Sequence, residues 1–228
     1  MKIYLASAAA AFGLAAPAMA TATLQTFSSS TQIVIPGTDD MGPADPFPST
    51  IQVNHLIGPM TGLTVTLFDF SHTRLNDVGI GLIGPNGTGI WLFNGTGDSH
   101  AISDLNITFS DSGAAKFRFQ TVSGTYKPGS VYSGTSLFPA NTPRVTKMSG
   151  FNGIDPNGSW RLFVRDYADY YVDAPGPGTG QIAGGWALSF YAEAAPAPEP
   201  AAWAMMVAGF GFIGGALRKR SRVIVRFA

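Results

Sequence analysis

The sequence predicts an all-β protein: a jelly-roll β-sandwich flanked by an N-terminal signal peptide and a single C-terminal transmembrane helix. Three observations lead there. Apolar and polar residues alternate with period two in five stretches, as in strands with one buried face. Asn-Gly occurs four times, at Asn86-Gly87, Asn94-Gly95, Asn152-Gly153 and Asn157-Gly158. Both residues tolerate the positive φ that tight hairpin turns require. Helical periodicity is scarce until a charge-free apolar run near the C-terminus.

The N-terminal end comes first. Met1-Lys2 is a short basic start, Ile3 to Ala16 is mostly apolar, and Ala18-Met19-Ala20 is a small-x-small cleavage site. Residues 1–20 read as a secretory signal peptide, with Ala18 and Ala20 setting the cut before Thr21. Residues 21–193 read as one β-sandwich. Ile35 to Thr50 holds four prolines and reads as a long loop before the main sheets. The strands follow. Leu63, Val65 and Leu67 alternate with Thr64, Thr66 and Phe68, and Val78, Ile80 and Leu82 with Gly79, Gly81 and Ile83. Phe117 and Phe119 alternate with Lys116 and Arg118. Trp160, Leu162 and Val164 alternate with Arg161, Phe163 and Arg165, and Trp186, Leu188 and Phe190 with Ala187 and Ser189. Asp173 to Gly180 is a second loop. Residues 194–200 form a Pro/Ala spacer, semi-rigid and extended.

Composition narrows the function. Residues 21–200 are enough for one domain with a real core. They hold eight Lys and Arg against fourteen Asp and Glu, a net charge of −6 behind the formal zero of the whole chain. An acidic passenger repels phosphates, which argues against nucleic acid as a partner. The chain has no cysteine. Disulfides, thiol catalysis, thiolate metal sites and Fe–S clusters are excluded.

Residues 201–228 read as a transmembrane sorting tail with a basic end. Ala201 to Leu217 carries no charge. As a helix it would rise about 26 Å, slightly short of a hydrocarbon core of about 30 Å. Trp203 sits where an interfacial anchor helps, and Arg218, Lys219, Arg220 and Arg222 should stay cytoplasmic. Pro198-Glu199-Pro200, the apolar helix and the basic cluster, in that order, resemble the PEP-CTERM sorting signal over Pro198 to Arg222. The processing residues this implies are Pro198, Glu199, Pro200, Arg218, Lys219 and Arg220. The resemblance implies a Gram-negative bacterium that makes extracellular polysaccharide. It also implies transient anchoring in the inner membrane, then cleavage by an exosortase-type enzyme and delivery to the envelope or the extracellular (biofilm) matrix. Signal peptidase is the partner at the other end.

The passenger carries a second series of motifs. Ile51-Gln52-Val53 comes first, then Leu63 to Leu67 leading into Ser71-His72-Thr73 and Asp77-Val78. Gly84-Pro85-Asn86-Gly87-Thr88, Leu105 to Asp111 and Gly124-Thr125-Tyr126-Lys127-Pro128 follow. Phe151-Asn152-Gly153, Asn157-Gly158-Ser159-Trp160-Arg161-Leu162, Val164-Arg165-Asp166 and Gly185 to Phe190 complete it. In this order they resemble the P domain (P/Homo B domain) of proprotein convertases, over residues 31–191. The resemblance implies a jelly roll of about eight strands. Trp160 and Trp186 read as core anchors, Tyr126 and Pro128 as a corner, and His72 as a core hydrogen-bonding group.

The chain is not expected to be an enzyme. In convertases this domain accompanies a subtilisin-like protease, which needs Asp, His and Ser in register. Here Gly134-Thr135-Ser136 is followed by Leu137-Phe138-Pro139, His72 by Thr73, and no Asp-x-Gly precedes a matching His. Asp166, Asp169 and Asp173, among Tyr167, Tyr170 and Tyr171, are calcium candidates, since loop carboxylates suit a hard ion. The plainer and preferred reading is a solvated acidic loop. The same tyrosines could stack on sugars, with extracellular polysaccharide as the ligand. The expected function is therefore an exported, non-catalytic envelope or matrix protein with a structural or adhesive sandwich and no required cofactor. The alternatives are a carbohydrate- or calcium-binding module and an accessory domain linked to a subtilisin-like serine protease.

Overall fold

A computed structural model describes residues 21–36, 41–95, 101–118, 122–130, 137–167, 180–194 and 200–219. Its strands are β1 (Thr23–Ser29), β2 (Ile33–Ile35), β3 (Gly42–Pro43), β4 (Ser49–Val53), β5 (Leu56–His72), β6 (Val78–Ile83) and β7 (Gly89–Asn94). After these come β8 (Ile102–Phe109), β9 (Gly124–Tyr126), β10 (Gly129–Ser130), β11 (Arg144–Val145), β12 (Gly158–Asp166), β13 (Gly180–Ile182) and β14 (Trp186–Ala194). Short 3-10 turns stand at Leu75–Asp77 and Met148–Phe151, and one helix, α1, spans Pro200–Lys219.

The strands form two seven-stranded sheets. The first runs β1-β14-β5-β13-β2, with β8 on β5 and β9 on β8. The second runs β10-β7-β6-β12-β3, with β11 on β7 and β4 on β12. The protein is thus all-β, as its periodicity predicts. Most pairs are antiparallel, while the short pairs β8–β9, β7–β10 and β7–β11 are parallel.

The two sheets share one apolar layer. Leu63, Val65 and Leu67 of β5 and Leu188 and Phe190 of β14 meet Ile80, Leu82, Trp160, Leu162 and Val164 of β6 and β12 in one buried cluster. Trp160 stacks on Phe190 across the layer, centroids 6.2 Å apart, and its indole N–H donates to the carbonyl of Pro156 at 2.9 Å. Trp186 of the first sheet donates to the Ser49 hydroxyl of the second at 2.9 Å. Both indoles are fully buried with their one polar atom satisfied, as a large amphipathic ring requires.

Four expectations change. Strand β6 is buried at all six positions rather than on one face. The reason is a second apolar cluster of Ile83, Leu137 and Phe163, with Trp91 and Phe138 packed on it, which covers the outer face. A Cβ at Gly81 would overlap the Phe138 ring, so glycine there lets the cover approach. Ile35 to Thr50 is not one loop: it contains β3 and the start of β4, and Val34 and Asp45 exchange backbone hydrogen bonds of 2.8 and 2.9 Å. Pro43 fits because β3 is an edge strand. Lys116 to Phe119 is no strand among the described residues; Lys116 makes an isolated bridge to Lys127. Phe117 instead packs its ring against Phe93 and Tyr126, centroids 5.3 and 5.0 Å apart.

The fourth concerns the tail. A helix forms there, yet among the described residues no helix is long and apolar enough to cross a membrane. What the structure shows in place of the expected span is a 20-residue helix whose described apolar side chains are exposed.

Trp160→Ala should remove the cross-sheet stack and leave a cavity. The expected loss is about 3–5 kcal/mol of stability, read from urea unfolding.

Candidate functional site

The buried polar groups gather where β5, β6, β7 and β12 approach one another. His72, Asp77, Asn94 and Asp166 are each at most 3% exposed. His72 closes β5 in the first sheet and Asp166 closes β12 in the second. The His72 Nε2–H donates to Asp166 Oδ2 at 3.1 Å, with both side chains wholly buried. Nδ1 faces the backbone of Arg74, 2.9 Å from its carbonyl oxygen and 3.1 Å from its N–H. The Arg74 guanidinium reaches Asp77 at 3.5 Å, and the Asp77 carbonyl accepts the Tyr167 N–H at 2.7 Å. Asn94 donates to the Ser130 hydroxyl at 3.0 Å.

Two backbone features place this cluster. Along β5, the inward positions are Leu63, Val65 and Leu67, then Phe70 and His72. The phase changes at Asp69, which has φ 54° and sits where the register against β8 shifts. Asp tolerates this left-handed geometry, and Asn106 Oδ1 accepts the Asp69 N–H at 3.1 Å. Without that bulge His72 would face outward. On the neighbouring strand, Gly180 pairs with His72, and a Cβ there would overlap the imidazole.

The sequence-based candidates fare differently. Asp166 is a buried core partner of His72 rather than a solvated loop carboxylate. Its place follows from parity: Trp160, Leu162 and Val164 point inward, and Asp166 continues the series. Asp169 and Asp173 lie outside the described residues, as do Tyr170, Tyr171, Gly134-Thr135-Ser136, Ala18, Ala20, Pro198, Glu199 and Arg220. Among the described residues, no group of three His, Asp or Glu could hold a metal ion. Pro200 opens α1, which also contains Arg218 and Lys219. The expected core role of His72 is observed. In a hydrolytic triad the carboxylate takes Nδ1–H and leaves Nε2 to the nucleophile. Here Nε2 meets the carboxylate and Nδ1 meets backbone, so neither nitrogen is left to act as a general base.

Sequence reasoning missed one feature. An open pocket of about 350 Å³ is lined by Asp111, Lys116, Lys127, Pro128, Thr146, Lys147 and Ser149. Lys116, Lys127 and Lys147 are the three lysines of residues 21–200, and all of them line it. They lie 11 and 20 residues apart in the chain. Only their shared sign could have suggested that they meet. The Asp111 carboxylate accepts the Met148 and Ser149 N–H groups at 2.8 and 2.9 Å. Partial burial would raise its pKa. The hydrogen bonds from Ser149 and Met148 and the charge of Lys147 outweigh that and hold it below the ordinary carboxylate value. The Tyr126 hydroxyl, whose pKa burial raises, donates to the Val122 carbonyl at 2.9 Å and pins the neighbouring corner.

No family model and no curated protein matches the chain. Among solved structures, the Aeromonas sobria serine protease in complex with its chaperone is similar at 18% identity and a TM-score of 0.35. The match covers 75% of this chain and 26% of that one, so this chain spans about a quarter of its length. At that TM-score the likeness carries no argument about this protein.

Two outcomes follow from the geometry. Asp166→Ala should strand a buried imidazole and cost about 3–5 kcal/mol, seen as a large drop in Tm. Asp111→Asn should also destabilise, with its own pH signature. The folded pKa lies below the unfolded value of 3.8, so the carboxylate stabilises above that value. Its contribution fades as pH falls through the lowered folded pKa. The gap in urea midpoint between wild type and Asp111→Asn should be full at neutral pH and close in strong acid.

Proposed function

We propose that this chain is an exported, non-catalytic envelope or extracellular-matrix protein, with a structural or adhesive sandwich and a sorting tail read by an exosortase-type enzyme. One observation supports it above the others: an apolar helix that the sandwich does not cover. Met205, Met206, Val207, Phe210, Phe212 and Ile213 of α1 are 59–80% exposed. A Cβ added at Gly209, Gly211, Gly214 or Gly215 would meet nothing within 4 Å. The sandwich meanwhile buries its own apolar layer between its sheets. Exposed apolar surface of that extent marks a site that something else covers. The order Pro198-Glu199-Pro200, apolar helix, basic end favours a membrane-embedded processing enzyme as that cover.

The passenger reads as P/Homo B-like. Gly84 to Thr88 forms the β6–β7 turn, with Gly87 at φ 81°. Trp160 and Trp186 anchor the core, and Tyr126 ties its corner. A jelly-roll winding belongs to this reading. With both nitrogens of His72 engaged, a scaffold role fits better than hydrolysis.

The intact mass of the protein recovered from its host tests this. The expected mass begins at Thr21 and ends near Pro198. A surface-located protein that retains residues 201–228 would overturn release by cleavage, and retention of residues 1–20 would overturn export.

A further inference from the structure

We propose that the pocket between Lys116, Lys127 and Lys147 binds the carboxylate-bearing sugars of an acidic polysaccharide. The first ground is charge. The domain is acidic, yet its three lysines converge on one concavity. Among the described residues none of the three pairs with a carboxylate within ion-pair distance. The one acid in the pocket, Asp111, already accepts two backbone N–H groups. The pocket lining therefore holds three lysines against one carboxylate.

The second ground is preorganisation. Lys127 N–H donates to the Ala115 carbonyl at 2.7 Å, Ser110 N–H to the Tyr126 carbonyl at 2.8 Å, and Lys116 bridges to Lys127. These bonds hold the first two lysines on adjacent chains. The Lys116 stem lies across Gly129, where a Cβ would sit 2.8 Å from Cδ and 3.2 Å from Nζ. Asp111 binds Met148 and Ser149, the residues just after Lys147, and so fixes the third. A cation held in place loses less freedom on binding.

The ligand class follows from what the pocket offers. Phosphate sites draw on clustered backbone N–H groups or an arginine fork, with lysine adding a point charge. Here the Met148 and Ser149 N–H groups are taken by Asp111, and the lining contains no arginine. Ammonium point charges beside a carboxylate suit singly charged groups better than a dianion. The lining contains no aromatic ring for a base or a neutral sugar to stack on. Thr146, Ser149 and Asp111 supply oxygens for hydroxyl groups. Anionic groups spaced along a hydroxyl-rich chain answer to this combination. The volume, about 350 Å³, lies at the low end for small-ligand sites.

This inference rests on the matrix reading only for where such a polymer would be met. The intact-mass experiment judges that reading separately. The test is calorimetry on the full-length chain in a neutral detergent, with oligogalacturonate as the probe. The expected result is saturable binding. It should weaken steeply between about 0.01 M and about 0.15 M ionic strength, as the screening length falls from about 30 Å to about 8 Å. The triple variant Lys116→Gln, Lys127→Gln, Lys147→Gln should bind roughly tenfold or more weakly while still unfolding cooperatively with a Tm close to wild type, because all three side chains are exposed. Lys147→Arg should retain binding. Equal binding of dextran, equal binding of inorganic phosphate, full binding by the triple variant or no binding at low salt would each overturn the proposal.

Discussion

The structure depends on two sheets meeting across one apolar layer, with no disulfide between them. The chain has no cysteine, so no disulfide restricts its unfolded state. Burial of β5, β6, β12 and β14 against one another must supply the stability. That requirement disciplines every register in the sandwich, because a slip of one residue would turn an entire face outward. The Asp69 bulge is one of a few register shifts, and the one that reaches the polar cluster. It carries His72 from the outer face to the inner one, and Asp166 meets it from the opposite sheet. The cluster is a polar stitch between two otherwise apolar faces. Such a pair is costly to break and specifies how the sheets align, even where an apolar pair would hold them as well.

Much of this was written in the period-two patterns. The alternation of β5, β12 and β14 is there in plain residues, and so are the turns at Asn86-Gly87 and Asn152-Gly153. Asp166 was legible in principle, since it falls on the inward parity of Trp160, Leu162 and Val164. The neighbouring acids and tyrosines drew it into a loop reading instead. His72 was not legible from parity, because the bulge that buries it depends on Asp69 adopting a left-handed backbone. The outer cover on β6 was also hidden. Leu137 and Phe138 arrive from far along the chain, and no local pattern announces tertiary contact. The lysine pocket is hidden for the same reason.

Charge is distributed with the same economy. Acidic groups are spread over the domain, and two of them are drawn inside as partners for a histidine and an arginine. The lysines sit together at one corner, where backbone bonds and a glycine hold their stems. The sandwich thus separates its polar devices: one inside that fixes alignment, one outside that faces solvent.

The position of β14 has a consequence for how the chain assembles. It lies between β1 and β5, and Thr23 pairs with Ala192. The beginning of the domain therefore has no partner until its end exists. A chain emerging N-terminus first cannot complete the first sheet before residue 194 is available, and β1 waits as an unpaired strand until then. Contacts so distant in sequence close slowly. The topology itself delays completion of the first sheet until its last strand arrives, while the second sheet needs no residue beyond Asp166.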